Sequence, residues 1–402
     1  MTGSILGALG GILIARFIDP EINGQFRLYT IPMMYLTFLH LGTLDGLYRQ
    51  IPFYMGLEQP EQVERIASAS GAWNVIITII VSSGFLICEL WALWQGNYTD
   101  AVGWLTQLLT SIGIFYGCYL GATYRTLNNF VVLSGIQLIQ AIIGFCLVFT
   151  VALWEFYGLC LRSAIPAILG VWLYHRSRPL RMPLHFELAA FKDVIKIGIP
   201  FCFWGTIYTS LWAAAEYSLI LKFDGIKAIG LFSVAAMMRD SLMILPQSIH
   251  QVLMPRIVES FARNGGVTAA AKRTFLATGV LSLLMTGIVM IVMVLLDYFV
   301  PLVIPKYVEG LPSMKAGLWL VVLSTIGVPL SGLIATGRGW LYGKGVLIGG
   351  AAFFGAVYLL NPLIGGVMSV IYGSLIGRAV RIMIAYFDLF ILMRREARKK
   401  II

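Results

Sequence analysis

Arginine side chains interrupt three of the long apolar segments of this chain, at positions where a charge is costly. Arg162 lies in one segment, Arg239 in another, and Arg378 and Arg381 in the last. A charge near the middle of a membrane-spanning helix costs from about 2.5 to more than ~10 kcal/mol on different scales, so it normally faces protein or water. A guanidinium group stays charged and presents several donors to phosphate oxygens. These positions therefore predict a shielded cationic path through a membrane protein, able to hold an anionic group.

The depth of each arginine within its segment suggests a division of roles. Counting about 1.5 Å of rise per residue from the loop ends places Arg239 and Arg378 near mid-depth. The same count places Arg162 in the outer third and Arg381 toward the cytoplasm, where its side chain could extend to the membrane surface. We predict that Arg239 binds the anionic group of a substrate and that Arg162 or Arg378 assists.

Acidic residues in the same segments leave a second role open for Arg239. Glu216 lies inside the preceding apolar segment and Asp240 follows Arg239 directly, so either carboxylate could form a structural ion pair with the guanidinium group. An ion-coupled transporter needs an acid that changes charge or binds the ion inside its path. We predict Glu216 for this role, because the other candidate acids, Asp45 and Glu89, lie toward the ends of their segments.

The composition places these segments in a membrane. The chain has 402 residues, of which 59% are hydrophobic and 12% are charged, whereas soluble domains are about a quarter charged. Long uncharged runs of this kind indicate an integral membrane protein. The net charge of +10 would suggest nucleic acid in a soluble protein, but here it lies mostly in loops on one side, so we expect no nucleic-acid partner.

The sequence contains no pattern for catalysis, for a metal or for a cofactor. It has no metal-spaced cluster of His, Cys and acidic residues, no phosphate-cradling glycine loop and no nucleophile motif. The five cysteines fall in apolar segments without CxxC spacing, as small buried hydrophobic residues do. His40 lies near the middle of an apolar segment, where it could relay protons or belong to the core. We therefore predict a protein that is not an enzyme and needs no cofactor.

Apolar runs of about 20 residues recur along the chain and predict an all-α integral membrane protein with about twelve transmembrane helices. Basic residues concentrate after the sixth and eighth spans and at the end of the chain, so the positive-inside rule places both termini in the cytoplasm. A basic cytoplasmic linker at 175–196 separates a six-helix lobe at 1–174 from a second at 197–393, and a basic tail follows at 394–402. The predicted spans are residues 2–17, 27–48, 69–94, 100–122, 129–153, 156–174, 197–221, 228–254, 274–303, 314–336, 340–360 and 364–391.

The two halves of the chain carry a related pattern. In each half a cation and an aromatic residue precede a short acidic loop, and Gly-x-Phe then opens the next helix, at residues 24–26 and again at 230–232. Six predicted spans separate the copies, so both point the same way across the membrane. Parallel repeats of this kind place a binding site between two pseudo-symmetric lobes.

The same segments resemble the polysaccharide flippases of the MOP exporter superfamily, a group that includes O-antigen translocases, lipid II flippases and multidrug MATE exporters. The resemblance covers nearly the whole chain, including the number of spans and the midpoint linker. It implies two six-helix lobes in a MATE-like V around an alternating-access cavity. The segments that carry it are ARFIDPEINGQFRLY (15–29), HLGTLDGLYRQIPFY (40–54), IGIPFCFWGTIYTSL (197–211), IGLFSVAAMMRDSLMILPQSI (229–249) and VLMPRIVESF (252–261).

The resemblance also implies a function. It indicates translocation of an undecaprenyl-diphosphate-linked oligosaccharide across a bacterial cytoplasmic membrane, for cell-surface polysaccharide biosynthesis. The expected partners are this lipid-linked substrate, membrane lipids, a proton or sodium ion for coupling, and the polysaccharide polymerase machinery. Three alternatives stay open: a MATE-like cation or drug exporter, a membrane glycan polymerase or ligase, which would need a longer outer loop, and a structural membrane protein.

Overall fold

The structure, a computed structural model, describes residues 2–264, 267–327, 330 and 339–399, without the side chains of residues 2, 4, 201, 206, 207, 250–274, 277, 339 and 396–399. Every regular element in this part of the chain is helical, which confirms the predicted all-α class. The helices are α1 (Thr2–Phe17), α2 (Pro20–Leu36), α3 (Thr43–Gly56), α4 (Pro60–Trp94), α5 (Tyr98–Ile112), α6 (Cys118–Thr126), α7 (Phe130–Cys146), α8 (Val148–Arg176), α9 (Leu188–Thr206), α10 (Trp212–Asn264), α11 (Val267–Val303), α12 (Leu311–Ile326), α13 (Gly339–Ile364) and α14 (Gly366–Lys399).

Six helical stretches of the described chain are long and apolar enough to cross a membrane. One of them, Cys202–Ile249, covers most of the predicted seventh and eighth spans, and Gly225 interrupts its helical geometry at φ 78°. Two shorter apolar helices, Ile5–Phe17 and Phe130–Cys146, lie within the first and fifth predicted spans. The other five long stretches are Pro60–Trp94, Tyr98–Thr126, Val148–Arg176, Thr278–Val303 and Trp340–Ile364.

The prediction that residues 27–48 form one continuous spanning helix is wrong. Helix α2 ends at Leu36, a short 3-10 segment follows, and Leu41 and Gly42 adopt the left-handed region at φ 48° and 77° before α3 begins. The break coincides with a close contact to α9, because a Cβ atom on Gly42 would lie 2.3 Å from the backbone carbonyl carbon of Gly198. A second backbone approaches too closely here for a side chain at either glycine.

The first compact unit comprises Met1–Ala214. In it α3 packs on α9 and α4 packs on α5, while α8 lies against both α5 and α7. One of its core clusters joins Leu47 and Ile51 of α3 with Tyr124 of α6. A single π-helical turn, Gly113–Gly117, separates α5 from α6. Such turns occur mostly as local bulges inside α-helices and are frequent at functional sites.

The segment between α8 and α9 docks on α4 within the first unit. The backbone N–H of His185 donates to the Ser68 hydroxyl of α4 at 2.7 Å. One turn earlier on α4, Arg65 forms an ion pair with Glu187 at 2.6 Å. Helix α9 begins directly after this contact, so residues 188–196 of the predicted linker, 175–196, are helical.

The second compact unit comprises Ala215–Ile402. Within its described part, α13 and α14 pack along each other and α12 lies against α11 and α14. The boundary between the units falls inside the predicted span 197–221, because α9 packs on helices of the first unit. The assignment of 1–174 and 197–393 to functional lobes therefore stays a prediction.

Candidate functional site

Glu216, Arg239 and Arg378, three of the four predicted site residues, form one polar cluster in the second unit. Glu216 lies in the first half of α10 and Arg239 in its second half, 23 residues later. In a continuous helix these residues would be about 35 Å apart. The left-handed Gly225 breaks the helix between them, so the two side chains meet, and Arg378 joins them from α14.

Asp224, next to that break, sets the position of α14. Its carboxylate oxygens accept hydrogen bonds from the backbone N–H groups of Gly366 at 3.3 Å and Val367 at 2.6 Å. These are the first N–H groups of α14, which have no partner within the helix and favour a negative charge. This cap fixes the start of α14 to α10 and thereby brings Arg378 to Glu216.

Glu216 is the buried centre of the cluster, with 1% of its side chain exposed. Its Oε1 accepts a hydrogen bond from the Ser374 hydroxyl at 2.5 Å and another from Arg378 Nη2 at 3.3 Å. Its Oε2 accepts one from Arg239 Nη1 at 3.4 Å. One buried negative charge is therefore shared by two guanidinium groups. Such partners are required, because removing them would leave an uncompensated buried charge.

Arg239 is mostly buried, with 13% of its side chain exposed, and it bridges two carboxylates. Besides bonding Glu216, it donates from Nε to Asp240 Oδ1 at 2.9 Å. Asp240 is 67% exposed, so the cluster has one buried and one accessible carboxylate. These are the ion pairs that the sequence left open as the alternative role of Arg239, and substrate binding by this residue stays a prediction.

Ser374 is a member of the cluster that the sequence analysis did not identify. It lies four residues before Arg378, accepts a hydrogen bond from Arg378 Nε at 3.2 Å and donates to Glu216. Residues four apart lie on the same face of a helix. The spacing to Arg378 was therefore the signal that could have found it.

Arg381, whose side chain the sequence left free to extend to the membrane surface, is buried inside the second unit. It is 2% exposed, and its guanidinium group lies over the ring of Tyr342 at 5.4 Å. A cation placed over an aromatic face is attracted by the electrons of the ring. A glycine makes room for it, since a Cβ atom on Gly349 would lie 2.9 Å from the Cβ atom of Arg381. Arg381 therefore belongs to the packing between α13 and α14.

Arg162, the fourth predicted site residue, lies on α8 in the first unit. Its Nε donates to the Gly144 carbonyl at 3.1 Å, and its Nη2 lies beside Gly10 of α1. Arg27 of α2 lies close enough for the two positive charges to repel each other. Arg27 was not predicted as a site residue, because the predicted span began at this position. The available signal was Pro20, which favours the first turn of a helix and places Arg27 about two turns inside α2.

A cavity of about 430 Å³ lies inside the first unit. Its described lining combines hydroxyl and amide side chains with apolar ones and carries no charge. Arg162 borders this cavity through its neighbour Ser163, which is part of the wall. The lining residues are Thr30, Met33, Met34, Thr37, Gln107, Thr110, Gly113, Ile114, Gly117, Gln140, Ser163, Ala167, Val171 and Tyr174.

His40 takes part in a polar network beside the break between α2 and α3. Its Nδ1 lies 3.0 Å from Asn74 Oδ1. Asn74 is fully buried and donates from Nδ2 to the Thr43 hydroxyl at 3.1 Å and to the Ser70 carbonyl at 2.8 Å. The imidazole also packs on Phe115 of the π-helical turn, with ring centroids 4.9 Å apart. These contacts suit a core histidine, and proton relay by His40 stays a prediction.

The remaining acidic candidates lie elsewhere. Asp45 is on α3 and Glu89 is on α4, both in the first unit, so Glu216 is the candidate coupling acid that meets predicted substrate-binding arginines. In the part of the chain that the structure describes, no three His, Cys, Asp or Glu side chains lie together as metal ligands would. The chemistry available to the Glu216 cluster is binding of an anion and exchange of a proton or cation.

The arrangement of helices is similar to that of solved MATE transporters and of another transporter of the MOP superfamily. A multidrug resistance MATE family transporter in its inward-facing conformation matches with a TM-score of 0.79 over 99% of this chain and 96% of its own, at 14% identity. A eukaryotic MATE transporter matches with a TM-score of 0.64 over 100% of both chains, at 14% identity. A MOP superfamily transporter from Pyrococcus furiosus, whose binding pocket of reverse polarity suggests a different function, matches with a TM-score of 0.65 over 96% of this chain and 98% of its own, at 12% identity.

No protein-family model matches the chain, and a search of curated proteins finds no match. The likeness to solved structures confirms the predicted fold, which is an all-α, MATE-like membrane fold along nearly the whole chain. At 12–14% identity it shows the fold alone. The substrate has to be inferred from the site itself.

Proposed function

We propose that this protein is a membrane transporter that moves an undecaprenyl-diphosphate-linked oligosaccharide by alternating access, for cell-surface polysaccharide biosynthesis. The observation that supports this most is the sharing of buried Glu216 between Arg239 and Arg378. Because the buried carboxylate is already neutralised, the cluster offers no free buried negative charge to a cationic substrate. Its second carboxylate, Asp240, is exposed and can be replaced by an anionic substrate.

A diphosphate group can take the place of Asp240 at the Nε edge of Arg239. Asp240 is 67% exposed, and exposed ion pairs contribute only about 0 to 1 kcal/mol. The oxygens of a phosphate group accept short, charge-assisted hydrogen bonds, and the group can bind one guanidinium group through two parallel hydrogen bonds. The exchange therefore removes a weak pair and forms a stronger one, while Glu216 continues to orient Arg239.

The remaining parts of the proposal follow from the chemistry of the substrate. The prenyl tail can stay in lipid while the charged head crosses inside the protein, with Arg378 assisting Arg239. Protonation of Glu216, or its neutralisation by sodium, would release both guanidinium groups, which makes Glu216 the candidate coupling acid. We place the protein in a bacterial cytoplasmic membrane, with both termini in the cytoplasm and the polysaccharide polymerase machinery as a partner.

Surface glycan export in cells tests the role of Arg239. Arg239→Gln should lower export at least about tenfold, because a hydrogen bond to a charged group contributes about 1.5 to 3 kcal/mol. Asp240→Asn should leave export unchanged or raise it, since it removes the competing carboxylate. Arg125→Gln, at an exposed arginine that bonds the Tyr48 hydroxyl at 2.8 Å, is the control. Normal export by Arg239→Gln at a normal membrane level would rule out substrate binding by this residue.

A MATE-like exporter of cations or drugs is the second candidate, and the solved structures that share the fold favour it, since one is a multidrug resistance transporter. The uncharged cavity of the first unit also carries Met33, Met34 and Tyr174 in its wall and could hold a hydrophobic cation. Efflux of a cationic dye from proteoliposomes tests this candidate. Dye efflux that survives Arg239→Gln, together with normal surface glycan, would favour the exporter over the flippase.

A further inference from the structure

Arg27 and Arg162 lie at a similar depth in the first unit. Arg27 follows Pro20, the first residue of α2, by seven residues, and Arg162 follows the non-helical Glu155 in α8 by seven residues. At about 1.5 Å per residue, each lies about 10 Å inside its helix. Because α2 packs against α8, the two arginines come close enough for their charges to repel.

Neither guanidinium group has a carboxylate partner among the described residues. Arg162 Nε donates to the neutral carbonyl of Gly144 at 3.1 Å. Arg27 Nε is buried and has no hydrogen-bond partner in the described part of the chain. The acid that α5 contributes near this end of α2, Asp100, accepts instead a hydrogen bond from the Tyr29 hydroxyl.

Two neighbouring positive charges without a counter-charge are destabilising at this depth. Buried charges in proteins are normally paired, because desolvation of an unpaired ion is costly. The fold nevertheless keeps room for the second guanidinium group, since Arg162 Nη2 lies 3.3 Å from the position of a Cβ atom on Gly10. An anion that binds both groups would supply the missing charge.

We propose that Arg27 and Arg162 form a binding site for a phosphate or diphosphate group. A guanidinium group binds phosphate through two parallel hydrogen bonds, so a pair of them suits the two phosphates of a diphosphate. The site adjoins the cavity of about 430 Å³, whose wall includes Thr30, one turn after Arg27, and Ser163, next to Arg162. These hydroxyl groups can bind polar groups attached to the phosphate.

This site adds a second phosphate-binding position to the proposed function. The inference rests on that function only in taking the bound anion to come from the transported lipid. Arg162 is here a primary ligand of phosphate, together with Arg27, and both residues belong to the first unit. A diphosphate attached to a lipid and a free diphosphate share the chemistry that the site recognises. Binding to the site does not require that the protein transports anything.

Equilibrium binding to the purified full chain in detergent tests the site, with inorganic diphosphate and farnesyl diphosphate as probes. Arg27→Gln and Arg162→Gln should each weaken binding about tenfold or more, and the double variant should bind little more weakly than the singles, because both arginines hold one anion. Arg125→Gln is the exposed control. Measuring each variant also in an Arg239→Gln background separates this site from the Glu216 cluster. Tighter binding of farnesyl diphosphate identifies a lipid-linked anion, and equal binding identifies a free one.

Thermal unfolding separates an anion site from a purely structural pair. Without diphosphate, Arg27→Gln should raise the unfolding midpoint, because it removes charge repulsion. A lowered midpoint together with unchanged diphosphate affinity in both single variants would overturn the inference. Diphosphate binding that depends on Arg27 and Arg162 in a chain that translocates no lipid-linked sugar would instead contradict the proposed function and leave this site in place.

Discussion

Gly42 and Gly198 lie in backbone contact where the helix formed by α2 and α3 breaks. A Cβ atom on Gly198 would lie 1.9 Å from the carbonyl oxygen of Gly42, and Gly42 itself has φ 77°. Residues with a Cβ atom are strained in that left-handed region, and glycine is not. The contact holds α9 against the break between α2 and α3, beside His40.

Replacement of Gly198 by alanine should destabilise the first unit. We expect Gly198→Ala to cost about 2 kcal/mol or more, since the added methyl group meets backbone that cannot move independently. The midpoint of thermal unfolding of the purified protein measures this. Gly205→Ala, on the same helix, is the matched control, because nothing lies within 4 Å of its Cβ position. Equal midpoints for the two variants would contradict the contact.

The uncharged side chain of Asn74 should contribute to the stability of the fold through its buried hydrogen bonds. Asn74→Leu keeps the size of the side chain but leaves the groups that it bonds at His40 and Thr43 without that partner. A buried polar group without a partner costs about 1 to 3 kcal/mol, so the unfolding midpoint should fall clearly. Thr286→Val, which removes a hydroxyl bonded only to its own helix, should change stability by less than about 0.5 kcal/mol. A midpoint for Asn74→Leu as high as that of Thr286→Val would disprove the prediction.

Docking of the segment between α8 and α9 should depend on pH. The hydrogen bonds from Arg65 hold the pKa of Glu187 below its ordinary value of 4.5. A lowered pKa in the folded state means that the ion pair stabilises docking fully above pH 4.5 and that this contribution is lost as the pH falls through the lowered pKa. Cleavage of residues 177–187 by an acid-stable protease should therefore increase over that range.

Glu187→Gln tests this assignment. The variant should be cleaved at neutral pH about as readily as the wild-type chain is at low pH, and its own cleavage should vary little with pH. Glu64→Gln, at an exposed carboxylate of α4, should keep the wild-type pH profile. An unchanged pH profile in Glu187→Gln would exclude the Arg65 pair as the cause.

The ion pairs of Arg239 were open to prediction from the sequence, whereas the hydrogen bond between Arg378, itself a predicted site residue, and Glu216 was not. A charge inside an apolar segment needs a partner, and Glu216 and Asp240 were the nearest acids along the chain. Arg378 reaches Glu216 from α14, whose first turn is capped by Asp224 through a contact between residues 142 positions apart. Nothing local in the sequence encodes a contact at that separation.

Two predictions failed because hydropathy did not locate the ends of the helices correctly: the continuous second span and the omission of Arg27 from the site. The apolar run from Arg27 onward continues through Leu41, and hydropathy does not respond to a left-handed backbone, so the break was not predicted. The start of the run at Arg27 hid the fact that α2 begins at Pro20 and carries Arg27 inside it. The fold class depends on summed hydropathy over long segments and was therefore predicted correctly.

Affinity for a diphosphate-linked lipid sugar, measured on the purified protein, tests most directly whether Arg239 is a substrate ligand. The variant Arg239→Gln removes this guanidinium group while Glu216 keeps its hydrogen bond to Arg378, so the buried carboxylate stays paired, and equilibrium binding does not depend on ion coupling. We predict that this variant binds the substrate at least about tenfold more weakly than the wild-type chain, because the phosphate ligand is gone. Wild-type affinity in Arg239→Gln would show that Arg239 serves only its ion pairs and would contradict the proposed function.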